Sequence, residues 1–125
     1  MNPLVAEWVA KAEGDYASAL RDARARKSPN YDSACFHSQQ CVEKYLKGIL
    51  QSENIPFAKT HDLCSLLDAC IQQHPLWEAF RADLEALTEY AVAFRYPGLS
   101  ADRNQAKMAV ALATRLRKEF RLALS

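Results

Sequence analysis

The sequence has few of the features that mark membrane, fibrous or disordered proteins. It contains three glycines in 125 residues, and no apolar run approaches the roughly 20 residues that a transmembrane helix needs. Half of the residues are hydrophobic and a quarter are charged, a composition typical of a helical globular protein. The formal net charge is +1, so a site for an anion must be local because no overall field attracts one.

The amino-terminal segment lacks the features of a secretory signal. It reads Met-Asn-Pro-Leu-Val-Ala-Glu-Trp, without the basic start and apolar centre of such signals. We therefore expect a cytoplasmic protein with no membrane partner. The length predicts one domain over residues 1–125, long enough to bury a core.

The sequence also lacks cysteine pairs with the spacing of a metal site. The four cysteines, at positions 35, 41, 64 and 70, form two pairs six residues apart, and six helical steps turn a side chain by about 240°. Neither pair can present two thiols to one metal from a regular helix, and no C-x-x-C occurs. We interpret the cysteines as small buried residues in a reducing compartment, and we expect neither a metal nor a cofactor.

What the sequence does contain is a succession of amphipathic helical patterns, with no segment that alternates as a strand does. The first helix covers about residues 3–25, and the second follows Ser28-Pro29-Asn30 and ends near Glu53. Thr60 is the predicted cap of the third, Pro75 opens the fourth, and Ser100 caps the last. Short connections favour antiparallel neighbours. The predicted fold class is therefore all-α, an up-and-down antiparallel bundle of four main helices plus a further shorter helix.

The second helix has an unusual polar side. At about 100° per residue, the predicted buried arc consists of Ala34, Ser38, Cys41, Val42, Tyr45, Leu46 and Ile49. His37, Gln40, Lys44 and Lys47 fall together on the other side. An imidazole, an amide and two ammonium groups in line suit an anionic, aromatic ligand such as a nucleotide. The alternative interpretation is an ordinary solvated helix face.

Two more polar clusters lie near predicted helix ends. Thr60-His61-Asp62-Leu63 enters the third helix, and Arg95-Tyr96-Pro97-Gly98 ends the fourth, because proline and glycine both interrupt helices. In an antiparallel bundle, the end of the second helix, the start of the third and the end of the fourth are expected at one pole. The sequence therefore predicts that His61, Asp62 and Arg95 lie close together.

Each of these residues has a functional and a structural interpretation. The Arg95 guanidinium suits bidentate contact with a phosphate, and the Tyr96 ring suits stacking on a base. Alternatively, Arg95 complements the helix dipole or pairs with Glu89 or Asp62, and Tyr96 only helps to turn the chain. His61 can likewise cover the helix cap or bond Asp62.

A basic cluster ends the first helix, with Arg21, Arg24, Arg26 and Lys27. These side chains could grip phosphates. Cations at a helix C-terminus also complement the macrodipole, and we take that structural role as the simpler interpretation.

Three segments, Ala34–Gly48, Thr60–Leu63 and Arg95–Pro97, resemble the HEPN domain family in their order and spacing. The family name abbreviates higher eukaryotes and prokaryotes nucleotide-binding. The resemblance extends from Trp8 to the last helix. It implies a helical bundle, commonly a homodimer, and a frequent partnership with a minimal nucleotidyltransferase in a toxin–antitoxin-like pair.

Many HEPN proteins are metal-independent ribonucleases, and the resemblance implies where their catalytic residues would lie. Catalytic members carry an arginine, then a polar residue, then a histidine four to six positions after the arginine. No histidine follows Arg95 here, since the histidines at 37, 61 and 74 all precede it. The catalytic motif of the family is therefore absent after Arg95, which argues against a ribonuclease but leaves open whether His61 takes the place of the missing histidine.

The sequence leaves three hypotheses open. The first is a non-catalytic module that binds a nucleotide or a nucleotidyltransferase partner through Arg95, Tyr96 and the polar side of the second helix. The second is a metal-independent ribonuclease toxin that uses Arg95 with His61 supplied in space. The third is an assembly adaptor without a small ligand. It would dock another helical protein through its aromatic fourth helix or through the surface around Phe36 and Leu50. We predict these two residues on the outward half of the second helix, where burial in a dimer is the favoured use.

Overall fold

A computed structural model describes all residues from Met1 to Ser125 and contains helices but no strand. The helices are α1 (Pro3–Arg24), α2 (Tyr31–Ser52), α3 (Leu63–Cys70), a 3-10 helix (Pro75–Phe80), α4 (Arg81–Ala93) and α5 (Arg103–Ala123). The predicted fold class is confirmed. The four main helices are α1, α2, α4 and α5, and α3 is the shorter one.

Contacts along the helix interfaces fix the directions of the four main helices. α1 is antiparallel to α2 and α5, and α4 is antiparallel to α5, as the following contacts show: Glu13 with Tyr45, Asp22 with Ser33, Glu13 with Arg117, Tyr16 with Thr114, Asp83 with Arg115, and Tyr90 with Met108. α2 lies at the centre and packs against α1, α3, α4 and α5. Its predicted apolar arc is buried as expected.

A single carboxylate ties α1 to both α2 and α5. Glu13 accepts hydrogen bonds of 2.6 Å from Tyr45 Oη and 2.6 Å from Arg117 Nε. The hydrogen-bonded guanidinium of Arg117 lowers the pKa of Glu13, and burial raises the pKa of Tyr45 to about 12. Glu13 therefore stays ionised and Tyr45 stays protonated near neutral pH, which keeps this polar junction intact.

Two predicted helix caps are wrong. Asp62 rather than Thr60 caps α3, because its Oδ1 accepts the hydrogen bond from the backbone N–H two residues on. The Thr60 hydroxyl instead accepts from the backbone N–H of Asp62 and shapes the turn before the helix. Asp102 rather than Ser100 caps α5, where Asp102 and Gln105 form a reciprocal capping box.

The start of α3 does not lie at the end of α2, contrary to the prediction. Residues 53–62 fold back along α2, so that His61 Nδ1 lies 2.9 Å from Glu43 Oε1 near the middle of that helix. α3 then runs back toward the end of α2, where His74 Nε2 lies 2.8 Å from Glu53 Oε2. α3 is thus parallel to α2, because the connection before it is long enough to reverse the chain.

The predicted fourth helix is divided in two. Pro75–Phe80 forms a 3-10 helix, and regular α-helix begins only at Arg81. The ring centroids of Trp77 and Phe80 lie 5.0 Å and 6.1 Å from that of Phe120 near the end of α5. The 3-10 helix therefore packs an aromatic cluster against the carboxyl-terminal end of α5 before α4 begins.

The predicted exposure of Leu50 is wrong, because Leu50 is completely buried. α2 is covered by other helices around most of its circumference, so its carboxyl-terminal half has almost no outward side. Phe36 is half-buried. No helix has both the length and the apolar character needed to cross a membrane.

Three of the cysteines are buried, as predicted, and Cys64 is half-buried. Burial raises the pKa of Cys35 to about 11 and that of Cys70 to about 12, and it also raises the pKa of Cys41. The thiolate form, which reacts and binds metals, is therefore disfavoured at neutral pH. These side chains behave as small apolar residues in the core.

Candidate functional site

Asp15 of α1 joins two residues of the polar side of α2. Its Oδ1 lies 2.7 Å from His37 Nδ1, and its Oδ2 accepts a hydrogen bond of 2.6 Å from Lys44 Nζ. Asp15 is only 8% exposed, so water screens these contacts less than it screens a surface ion pair. Asp15 therefore neutralises part of the predicted cationic surface.

A second group of residues, which we call the Glu43 cluster, consists of Gln39, Glu43, Lys47 and His61. Glu43 is 3% exposed and accepts hydrogen bonds from Gln39 Nε2 at 3.2 Å and Lys47 Nζ at 3.1 Å. Its Oε1 also lies 2.9 Å from His61 Nδ1. The Lys47 ammonium is 5.7 Å from the centroid of the Trp8 ring. The cluster links α2, the amino-terminal half of α1 and the connection before α3.

The polar side of α2 is therefore less accessible than the sequence indicated. His37 and Lys44 are half-buried against Asp15, and Lys47 is buried beside Glu43. The ammonium charges of Lys44 and Lys47 are already balanced inside the protein. That these residues bind a ligand stays a prediction. The structure shows that they also connect α2 to α1 through Asp15 and pair with Glu43.

Two amide oxygens on this side of α2 have no hydrogen-bond partner. Gln40 Oε1 and Gln39 Oε1 are both buried and unpaired. A buried acceptor without a donor is unfavourable by about 1–3 kcal/mol, and such groups are uncommon. The Gln40 side chain as a whole is half-buried, but its oxygen is covered by neighbouring protein atoms.

Arg95 is the one arginine or lysine of the predicted site that no carboxylate neutralises. It forms none of the ion pairs of the structure, so the predicted alternatives of pairing with Glu89 or Asp62 are wrong. Its guanidinium carbon lies 5.7 Å from the centroid of the Phe36 ring. A guanidinium on an aromatic face is attracted by the ring quadrupole, and this contact holds an exposed cation in place.

Tyr96 follows in the turn after α4 and is 64% exposed. The turn is completed by Gly98, whose φ of +93° favours glycine over residues with a side chain. The chain thus reverses here with the Tyr96 ring in solvent and Arg95 against α2. The ring is available to stack on a planar ligand.

His61 and Arg95 reach the same helix without touching each other. Arg95 lies over Phe36, and His61 lies beside Glu43, seven residues or roughly 10 Å further along α2. No hydrogen bond joins His61 to Arg95 or to Asp62, and Asp62 is occupied in capping α3. The predicted geometry, in which these residues meet at one pole of the bundle, is wrong. His61 and Arg95 instead lie against different positions along α2.

Sequence reasoning missed the two carboxylates that organise this region. The spacing of Glu43 and Lys47, four residues apart on a helix, was a usable signal for an ion pair. Nothing in the sequence pairs Asp15 with His37 and Lys44, because that contact depends on how α1 packs against α2.

The fold and the site together define an all-helical bundle with a polar region on its central helix, bordered by one unpaired arginine and an exposed tyrosine. The family model described as HEPN domain matches residues 5–122, nearly the whole chain. The chain belongs to the HEPN domain family, and it is a helical module of a nucleotide- and RNA-related class. No curated protein and no solved structure matched the chain.

Proposed function

We propose that this HEPN domain is a non-catalytic module that binds a nucleotide beside α2 through Arg95 and Tyr96. The observation that supports this most directly is the pairing of charges. Lys44 and Lys47 are balanced by buried carboxylates, whereas Arg95 is exposed and has no acidic partner. An anionic ligand therefore gains most by contacting Arg95.

The side chains around Arg95 suit the parts of a nucleotide. The guanidinium can donate two parallel hydrogen bonds to one phosphate, and Phe36 beneath it limits the orientations that it adopts. Tyr96 offers an exposed ring to the base. Charge and stacking thus come from neighbouring positions.

The family resemblance extends this proposal to protein partners. We propose that the domain forms a homodimer and acts with a minimal nucleotidyltransferase in a cytoplasmic toxin–antitoxin-like pair. Large apolar side chains are exposed on the carboxyl-terminal half of α4, the following turn and α5: Val92, Tyr96, Leu99 and Met108. Apolar groups of this kind support a protein contact close to the Arg95 site.

The test is thermal unfolding of the wild type and Arg95→Ala with nucleoside mono-, di- and triphosphates. A ligand at about 100 times its dissociation constant adds about 2.7 kcal/mol to the free energy of unfolding, which raises the midpoint by roughly 10 °C in a domain of this size. We expect the increase in the wild type and its loss in Arg95→Ala.

Arg115→Ala is the matched control, since Arg115 is exposed, carries the same charge and pairs only with Asp83 on the surface. It should retain the increase seen in the wild type. Nucleotide binding at Arg95 would be refuted if no nucleotide raised the wild-type midpoint, or if Arg95→Ala responded as strongly as Arg115→Ala.

One observation favours the ribonuclease as a second candidate. Glu43 contacts Nδ1 of His61 at 2.9 Å, while the His61 side chain is 71% exposed. A carboxylate at Nδ1 leaves Nε2 available to solvent, the arrangement by which an acidic group orients a histidine base. Such a base would take the 2′-hydroxyl proton of RNA as the 2′-oxygen attacks phosphorus. The bond from phosphorus to the next 5′-oxygen would then break, and that oxygen would take a proton from water.

The ribonuclease candidate predicts RNA cleavage in the presence of a metal chelator, with 2′,3′-cyclic phosphate ends. His61→Ala should abolish cleavage, and His74→Ala should not, because His74 lies at the far end of α2 against Glu53. Electrophoresis of an end-labelled RNA measures both. Intact RNA after incubation with the purified wild type would rule this activity out and leave the binding module.

A further inference from the structure

A cleft of about 650 Å³ lies between the end of α1 and the first half of α5, and none of its lining residues belongs to the Arg95 site. Its walls contain four cations, Arg24, Arg26, Arg103 and Lys107, and no acidic residue, and Tyr31 and Thr114 also line it. We call it the basic cleft. The whole chain carries a net charge of only +1, so positive charge is concentrated here.

None of the four cations in the basic cleft forms an ion pair. The acidic residues nearest in sequence are committed elsewhere. Asp22 accepts a hydrogen bond of 2.6 Å from Ser33 Oγ, Asp32 accepts one of 2.6 Å from the backbone N–H of Ala101, and Asp102 caps α5. No carboxylate therefore lies within ion-pair distance of a cation of the cleft, unlike the polar side of α2, where Asp15 pairs with Lys44 and Glu43 with Lys47.

Helix dipoles do not account for this clustering. Arg24 lies in the last turn of α1, where the dipole favours a cation. Arg26 lies beyond the end of that helix. Arg103 occupies the first turn of α5, at the positive end of the helix, where the dipole disfavours a cation. Lys107 lies one turn further on, where the dipole effect has fallen off. Both line the cleft with Arg24 and Arg26, so an anion in the cleft would be attracted from both walls.

The cleft has charge but few groups that could read a particular nucleoside. It offers no carboxylate or amide side chain to a ribose or base edge. The Thr114 hydroxyl already contacts Tyr16 Oη at 2.8 Å and donates to the Val110 carbonyl at 2.8 Å. Tyr31 supplies an aromatic ring. Several cations with one stacking platform are typical of contact with a nucleic-acid backbone that does not depend on sequence.

We propose that the basic cleft binds the phosphate backbone of single-stranded nucleic acid. Arg24 and Arg26 contact phosphates from one wall, Arg103 and Lys107 contact them from the other, and Tyr31 stacks on a base. This binding is separate from the nucleotide proposed at Arg95, since the two sites share no residue. In a nucleotide- and RNA-related family, a chain held in the cleft would lie on the same domain as the Arg95 site.

Fluorescence anisotropy of a short labelled oligouridylate at several salt concentrations tests the proposal. The logarithm of the binding constant should fall with the logarithm of salt concentration with a slope near −0.7 per phosphate neutralised, or about −2.8 for four contacts. Lys107→Ala should reduce the slope by about 0.7 and weaken binding about fivefold at 0.1 M salt. Arg24→Ala combined with Arg103→Ala should reduce the slope by about 1.4.

Lys118→Ala is the matched control, because Lys118 is also an exposed lysine of α5 without an ion pair and lies outside the cleft. It should bind as the wild type does. The proposal is overturned if Lys107→Ala and Lys118→Ala weaken binding equally, or if the wild type does not bind the oligonucleotide. It is also overturned if inorganic tripolyphosphate binds as tightly as the oligonucleotide, which would indicate a site for a small anion.

Arg95→Ala distinguishes this proposal from the nucleotide site. We expect it to lose its response to mononucleotides, whereas Lys107→Ala, which lies outside the Arg95 site, should keep that response and bind the oligonucleotide more weakly. Loss of oligonucleotide binding in Arg95→Ala, with binding retained in Lys107→Ala, would place the nucleic acid at α2 and overturn the cleft proposal. Failure of the mononucleotide test alone would refute the Arg95 site and leave the basic cleft unaffected.

Discussion

Replacing Glu43 by alanine should lower the free energy of unfolding by about 3 kcal/mol, since breaking a buried ion pair on one side typically costs about 3–5 kcal/mol. Glu43 is the only carboxylate that contacts Lys47, and both residues are buried. The variant leaves the ammonium without a counter-charge and the Gln39 amide without one acceptor. Thermal unfolding followed by circular dichroism should show a midpoint roughly 12 °C lower.

The chain contains a matched control for this prediction. Glu7 and Lys11 form an ion pair with the same residue types and the same four-residue spacing, but their side chains are about 60% exposed and 3.7 Å apart. Glu7→Ala should change stability by no more than about 0.5 kcal/mol. A Glu43→Ala variant as stable as Glu7→Ala would show that the Glu43 cluster does not support the fold.

A double variant separates loss of the ion pair from loss of packing. Lys47→Met in the Glu43→Ala background removes the unpaired charge and keeps most of the apolar stem. We expect it to regain part of the lost stability. The difference from Glu43→Ala measures how much of the effect comes from an unbalanced ammonium beside Trp8.

The helices were predictable because their signals are local. Apolar residues at three- and four-residue steps located α1, α2 and α5 to within a few residues, and Pro97 with Gly98 marked the turn after α4. The division of the fourth helix at Arg81 was not predictable in this way. It follows from the docking of Trp77 and Phe80 on α5, which is a tertiary contact.

The polar side of α2 shows that helical periodicity predicts which residues share a side of a helix but not whether that side is exposed. Periodicity assigned His37, Lys44 and Lys47 to one side correctly, but it could not show that α1 and the connection before α3 cover that side. The covering supplies Asp15 and orients His61 toward Glu43. Angular position on a helix therefore predicted which residues share a side, whereas burial and charge balance required the neighbouring helices.

The basic cleft shows the same limit of sequence-based prediction for residues that are far apart in the chain. Arg24 and Arg26 were visible in the sequence as part of a run that a helix dipole explains. Arg103 and Lys107 lie almost eighty residues further on, and only the packing of α1 against α5 brings the two groups together. The helix dipole accounts for Arg24 in the last turn of α1 but not for Arg103 in the first turn of α5.

Replacing Phe120 by alanine should destabilise the domain by about 3–5 kcal/mol, the usual range for a fully buried phenylalanine. Phe120 is completely buried and lies between the 3-10 helix and the core, with Trp77 and Phe80 as ring neighbours. The cavity cannot be refilled easily, because Trp77 is already stacked on His74 with centroids 3.8 Å apart. Denaturant unfolding measures the loss.

Leu122→Ala is the control for Phe120→Ala, because Leu122 lies in the same last turn of α5 but is 63% exposed. It should stay within about 0.5 kcal/mol of the wild type.

In a Trp8→Phe background, Phe120→Ala should also shift the fluorescence of Trp77 to longer wavelength, since the indole loses an apolar neighbour and meets water. Equal stabilities of the two variants, or unchanged emission, would contradict the view that Phe120 anchors the 3-10 helix. α4 begins at Arg81, directly after this 3-10 helix, and ends at Ala93, two residues before Arg95. The anchored 3-10 helix therefore fixes the start of the helix that leads to the Arg95 site.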